Sequence, residues 1–262
     1  MIAIELQGRK ALITGGDSGL GAATAKSLAQ AGADVAITYR YESKAAEQVA
    51  TVVQSFGVKA YAFRLDNISQ KEDVDALFRQ VDQELGGLDI LVNNAGTDGP
   101  RALCADSDVA AWRQVVEIDL FGPYYCAREA VARMGKQGRG VIVNTSSVHE
   151  FIPWAGYSAY TSAKAALSMF SKTLAQEVAA QGIRVLAIAP GAVKTPINAN
   201  VWQDPKGLAD LDGKIPMGRV GEPDEIGHAI AFLCSDLASY ITGITVPVDG
   251  GMLLYPDFRQ GG

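Results

Sequence analysis

The sequence predicts an α/β fold in which one parallel sheet of seven strands carries helices on both faces, and three observations support it. Short apolar runs alternate with longer stretches of helical periodicity from residue 10 to 85. Residues 90–92, 141–143 and 185–189 are apolar throughout, as strands covered on both sides should be. Glycines gather where the first strand ends and the first helix begins.

Residues 10–14 form the first strand, and the glycines after them give way to a helix over 22–32 that Gly32 stops. A strand over 34–39, a helix over 43–56, a strand over 60–65 and a helix over 70–85 continue the rhythm. The strand at 90–92 leads into one long helix over 110–134, and the strand at 141–143 into another over 159–180. After the strand at 185–189, residues 198–217 are rich in Asp, Pro and Gly, and the region from about 194 to 217 reads as a substrate lid. A helix over 225–233 and a strand over 245–248 follow. No linker or repeat interrupts 1–262, so the whole length reads as a single domain.

Hydrophobic residues make up 48% of the 262 positions and charged residues 20%, which supplies a large core and excludes disorder. A net charge of −6 without a dense Lys/Arg run argues against nucleic acid or a membrane surface as partner and for a small molecule. Cys104, Cys126 and Cys234 are far apart, with no CxxC and no His cluster, and read as reduced, buried thiols rather than a metal site. Residues 1–8 are too short and polar for a signal peptide and no apolar run reaches membrane-spanning length, so the cytoplasm is the expected location.

Tyr160 and Lys164 are four residues apart and share a helix face. A free phenol titrates near ~10, and an ammonium beside it favours phenolate, so Tyr160 is the candidate proton-transfer group. Ser147 stands thirteen residues earlier. Near the start, Thr14-Gly15-Gly16-Asp17-Ser18-Gly19-Leu20-Gly21 joins strand to helix. Such glycines serve either a tight turn or a cradle in which the backbone approaches a pyrophosphate at a helix N-terminus. Asn93-Asn94-Ala95-Gly96 at the end of strand four, where strand order should reverse, favours the cradle.

Together the TGxxxGxG turn, the NNAG segment, and Ser147 with Tyr160 and Lys164 resemble the short-chain dehydrogenase/reductase family over nearly the whole chain. The resemblance implies a Rossmann-type doubly wound domain with strand order 3-2-1-4-5-6-7, a nicotinamide cofactor and a homotetramer. It makes Tyr160 the acid/base, Ser147 the partner of the substrate oxygen, and Lys164 both a ribose ligand and the group that depresses the Tyr160 pKa. It assigns Gly15, Gly19, Leu20 and Gly21, with Asp17 and Ser18 between them, to the phosphate turn. Asp66 and Asn67 go to the adenine pocket, and Asn93, Ala95 and Gly96 to the ribose side. Pro190, Gly191, Val193 and Thr195 match the segment that receives the nicotinamide end. One position departs. The family's fourth catalytic residue is usually an asparagine that helps hold a water in a proton relay to the lysine, and the matching residue here is Asp119. Aspartate accepts the same hydrogen bonds and adds a charge, which favours protonated Lys164 or disturbs the tyrosine's titration.

At the end of strand two, an acidic residue would bind two ribose hydroxyls and repel a 2′-phosphate. This chain has Tyr39 and then Arg40, which suits a phosphate, so NADP is preferred. Asp17 and Ser18 in the turn, where a basic residue often supports NADP, keep NAD possible.

Within the family, Ser146-Ser147-Val148-His149-Glu150 with Ile152-Pro153-Trp154, and Asp249-Gly250-Gly251-Met252 with Tyr255-Pro256, look like the bacterial glucose 1-dehydrogenase branch. Residues 155–159 differ from it. The resemblance implies oxidation of a glucose-like aldose to a lactone, or of a polyol. Asp98, Ser147, His149 and Trp154 are the candidate substrate contacts, with local loop bonding the alternative for His149 and Glu150, and packing the alternative for Trp154. Reduction of 3-oxoacyl groups on a carrier protein, docked on Arg128, Arg133 and Lys136, is a second possibility, as is general carbonyl reduction. A nucleotide-binding regulator without turnover is a third.

Overall fold

The computed structural model describes residues 3–254, so Tyr255 and Pro256 lie outside the described residues. Seven parallel strands run in the order β3-β2-β1-β4-β5-β6-β7, as expected. They are β1 Lys10–Ile13, β2 Asp34–Tyr39, β3 Ala60–Arg64, β4 Ile90–Asn93, β5 Gly140–Thr145, β6 Ile183–Pro190 and β7 Thr245–Val248. The order reverses between β1 and β4, which pair through Ala11↔Ile90 to Ile13↔Val92, and a reversal of this kind opens a crevice at the carboxyl ends of the strands.

Successive side chains of a strand point to opposite faces, so an unbroken apolar run feeds two cores. Leu12, Ala36, Leu91, Ile142 and Val185 pack with Phe78, Cys126 and Met134 on one face. Ile13, Ile37, Val92, Val143 and Ile188 pack with Leu28, Val53 and Ile230 on the other. The first layer is covered by α3 (Lys71–Glu84), α5 (Gly122–Gln137) and α6 (Ser158–Val178), and the second by α1 (Gly19–Gln30), α2 (Ser43–Gln54) and α9 (Pro223–Cys234). Helices α1 and α9 touch at backbone distance, since a β-carbon on Gly227 would stand 2.7 Å from the Ala23 carbonyl oxygen.

One expectation changes. The single helix over 110–134 is instead α4 (Val109–Val116), a π-helical turn at Glu117–Phe121, and α5. Pro123 has no N–H to give the Asp119 carbonyl four residues back, and its ring crowds that oxygen, so the ladder widens there. The Asp/Pro/Gly-rich stretch holds two short helices, α7 (Ala199–Trp202) and α8 (Pro205–Gly213), the second capped by the Asp204 carboxylate accepting from the Gly207 N–H at 2.9 Å. Among the described residues no helix is long and apolar enough to cross a membrane, and no acidic, His or Cys cluster has the arrangement of a metal site.

Candidate active site

The end of β1 is fastened to both neighbours. Thr14 Oγ1 accepts from the Asn94 and Ala95 N–H groups, each at 3.0 Å, and the Gly15 N–H donates to Thr38 Oγ1 at 3.0 Å. Asn94 Nδ2 donates to the carbonyls of Thr14 (3.1 Å) and Gly15 (2.9 Å), locking the NNAG segment onto the glycine turn. Gly15 and Gly19 have φ of 62° and 52°, a region that favours glycine. Helix α1 then begins with no side-chain cap from Ser18, which leaves its first N–H groups to an anion.

Ser147 follows β5, and Tyr160 and Lys164 lie on α6, which packs across that strand's end. Ser147 Oγ accepts from the His149 N–H at 3.1 Å and acts on the Tyr160 phenol, favouring its ionised form. The Lys164 ammonium lies 5.5 Å from the Tyr160 ring centroid, donates to the Thr145 carbonyl at 3.0 Å, and forms an ion pair with Asp119 at 3.0 Å. Asp119 is 0% exposed, and its other oxygen accepts the Thr97 N–H at 2.8 Å.

Burial pushes the Tyr160 phenol above its ordinary value; Lys164 and Ser147 oppose this, and Asp119 and Asp98 add to it. Lys164 therefore acts in the expected direction and is outweighed. Burial alone would lower the Lys164 ammonium, but Asp119 and Tyr160 together hold it above the usual lysine range. Burial also raises Asp98 and lowers His149.

A cavity of about 1120 Å³ runs past all of these groups. Gly15, Asp17, Ser18, Gly19, Leu20, Tyr39, Arg40 and Asn67 are on its wall. So are Ala95, Gly96, Lys164, Pro190, Gly191, Val193 and Thr195. Asp98, Asp119, Ser147, His149, Trp154 and Tyr160 complete the set.

Three residues of the sequence-based set lie off the cavity wall. Gly21 is behind the turn, Asp66 pairs with Arg64 at 2.7 Å, and buried Asn93 donates to Asn144 Oδ1 at 2.8 Å. Sequence reading missed other wall residues: Glu42 beside Arg40, and Ile197, Val201 and Leu211 from the helical segment after β6. An apolar stripe in that segment was the available signal.

His149 Nδ1 donates to the Ile152 carbonyl at 3.2 Å, and Glu150 accepts from the Ser146 hydroxyl, so Glu150 serves the loop. Trp154 stacks on His149 (4.5 Å between centroids) and on Tyr157 (3.8 Å), and meets Tyr160 edge-on at 6.2 Å. The three cysteines are free; Cys126 and Cys234 are buried as expected, whereas Cys104 is exposed because its short turn packs nothing over it.

The family model described as enoyl-(acyl carrier protein) reductase matches residues 15–253. Two relatives align over nearly their full length. The 3β-hydroxysteroid dehydrogenase 1 of Eggerthella lenta is 42% identical over 261 residues, covering 98% of each chain. Glucose 1-dehydrogenase 2 of Bacillus subtilis is 35% identical over 253 residues, covering 96% of this chain and 97% of that one. The crystal structure of an NAD+-bound xylitol dehydrogenase superposes with a TM-score of 0.88 at 30% identity, covering 94% of this chain and 99% of the other.

Proposed function

The chain belongs to the short-chain dehydrogenase/reductase family, and from that premise we propose that it interconverts ring carbinols and ring ketones, with Tyr160 as acid/base. As a member of that family it is an oxidoreductase of CH–OH groups that uses a nicotinamide cofactor. The observation that carries this proposal is the aromatic wall beside the proton-transfer group: His149 and Trp154 line the cavity, meet Tyr160 edge-on and stack on each other, with Tyr157 stacked on Trp154 behind. The hydroxysteroid relative acts, by its name, on a carbinol of a fused-ring molecule. Oxidation of a glucose-like aldose to its lactone is the second reading. It draws support from the glucose relative and from Asp98 on the same wall, a carboxyl suited to a sugar hydroxyl.

The residues present fit a dinucleotide. The uncapped start of α1 faces a turn in which a β-carbon on Gly16 or Gly21 would clash, and the cavity continues past Asn67 and Arg40. Gly15, Gly19 and Leu20 would hold its phosphates, and Lys164 with Ala95 and Gly96 its nicotinamide end. A bound nicotinamide supplies the hydride chemistry that no side chain can. In oxidation Tyr160, as phenolate, takes the hydroxyl proton, and in reduction, as phenol, it returns one. Ser147, on the same cavity wall as Tyr160, holds the reacting oxygen at that phenol. NADP is our preferred cofactor, supported by Arg40 and by Tyr39 in place of an acid; Glu42 on the same wall favours NAD as well. Residues 194–217 are proposed as the substrate lid. Exposed Trp112, Phe121, Tyr124 and Met169 support a homotetramer.

Absorbance at 340 nm tests the reading, with NADP or NAD and a panel of cyclic alcohols, aldoses and open-chain alcohols, and ketone and 3-oxoacyl thioester reduction alongside. Cyclic alcohols should be oxidised fastest, and Tyr160→Phe should lose about 10²–10⁴-fold in turnover while still binding cofactor. Faster aldose turnover would install the second reading. Turnover of thioesters alone would revive the carrier-protein reading, which the commitment of Arg133 to Asp82 (2.7 Å) and Glu129 (2.8 Å) weakens.

A further inference from the structure

The buried charges around Tyr160 do not sum as those of a lone lysine would. The π-helical turn brings the Asp119 carboxylate within 3.0 Å of Lys164 Nζ, at full burial, and Gly96 closes over the pair. A β-carbon at Gly96 would stand 3.2 and 3.3 Å from the two carboxylate oxygens and 3.4 Å from Nζ. This site calls for two acceptors, one for the Thr97 N–H and one facing the ammonium, and a carboxylate supplies both. An asparagine has one amide oxygen, so satisfying Thr97 would turn its NH₂ toward Lys164.

We propose that Asp119 is a positioning residue that neutralises Lys164 within a buried ion pair and thereby holds Tyr160 in its phenol form, so that alcohol oxidation needs a more alkaline medium than asparagine at this position would require. The proposal rests on Tyr160 being the acid/base. The other groups near the phenol agree with this balance. Asp98 adds negative charge from the loop after β4, and Glu150 from the loop after β5 offsets Lys164 further. The His149 ring, 6.5 Å away, is kept neutral by burial, and Ser147 is uncharged. Lys164 is left as the nearby cation, and Asp119 answers it. Reduction, which starts from phenol, is served at neutral pH; oxidation, which starts from phenolate, waits for base.

The test reads the phenol directly. Tyrosinate absorbance near 295 nm is titrated in the wild type, Tyr160→Phe, Asp119→Asn and Asp98→Asn without cofactor, and the Tyr160→Phe difference isolates Tyr160. In the wild type the isolated signal should rise above the ~10 of free tyrosine. Asp119→Asn should bring it down by about one unit, and Asp98→Asn by less. With cofactor, the acid limb of kcat/KM for oxidation should shift down in parallel, so that on that limb Asp119→Asn runs up to about tenfold faster than wild type. A wild-type Tyr160 signal at or below that of free tyrosine overturns the proposal, even if Asp119→Asn fails to fold. So does a folded Asp119→Asn whose titration and limb are unmoved. The spectroscopic arm needs no substrate, so an error in the substrate reading shows only in the turnover panel.

Discussion

A methyl group at Gly21 would stand 2.1 Å from the Gly15 carbonyl oxygen and 2.7 Å from Asn94 Nδ2. Those atoms bond each other at 2.9 Å to clamp the turn to the NNAG segment, so neither can yield without opening the crevice. Gly21→Ala should therefore cost about 1–3 kcal/mol in urea unfolding. It should also weaken dinucleotide binding roughly tenfold or more, measured by titration of nucleotide fluorescence. Gly19 differs. Its φ of 52° calls for a residue that tolerates left-handed backbone, and its nearest neighbour, Thr195 in the segment after β6, stands 3.5 Å away, so Gly19→Asn should keep the fold nearly intact. The sequence announces both glycines alike; only contact geometry separates a crowded one from a twisted one. Asp66 and Asn93 make the same point, because a motif names a position while an Arg64 or an Asn144 beside it decides where the side chain is spent.

Most elements were legible from periodicity, since buried strands and amphipathic helices leave patterns that local chemistry does not override; β2 and β7 fall on the expected residues. The π-helical turn was not legible, because one added residue in a ladder leaves an apolar stripe nearly unbroken, and Pro123 four residues beyond Asp119 was the clue. Helix α9 shows what end chemistry contributes. Glu225 accepts from Arg219 at 2.7 and 2.8 Å and from the Glu222 N–H at 2.8 Å, closing a capping box. The Arg219 hydrogen bonds, then the Glu222 N–H, hold its carboxyl down at about 2. A depressed carboxyl contributes fully above its unfolded value of 4.5 and loses that contribution as pH falls toward 2. Glu225→Gln should thus cost at most about 1 kcal/mol, because the glutamine oxygen can still accept the Glu222 N–H and the lost charge pair with Arg219 is exposed. That gap should stay constant from pH 7 to 5 and narrow below 4.5, read from urea midpoints at each pH.

At the scale of the molecule, parallel strands were legible from apolar composition, but their order rested on family resemblance, because local patterns do not say which strands are neighbours. The two cores that this order creates can be probed separately by native thiols. Cys126, on α5, packs into one core layer and Cys234, at the end of α9, into the other, on opposite faces of the sheet, and Cys104 is exposed outside both. Burial pushes the Cys126 and Cys234 thiols up to about 12, so neither forms appreciable thiolate at pH 8 while the protein is folded. An aromatic disulfide reagent should therefore label Cys104 at once and the other two only as fast as the chain opens. Low urea should speed Cys126 and Cys234 equally if the sheet unites its layers in one cooperative unit. Peptide mapping of the labelled protein would show which reacts first; labelling of Cys234 well ahead of Cys126 would mean that the α1–α9 layer detaches on its own, and with it the helix start proposed to hold the cofactor phosphates.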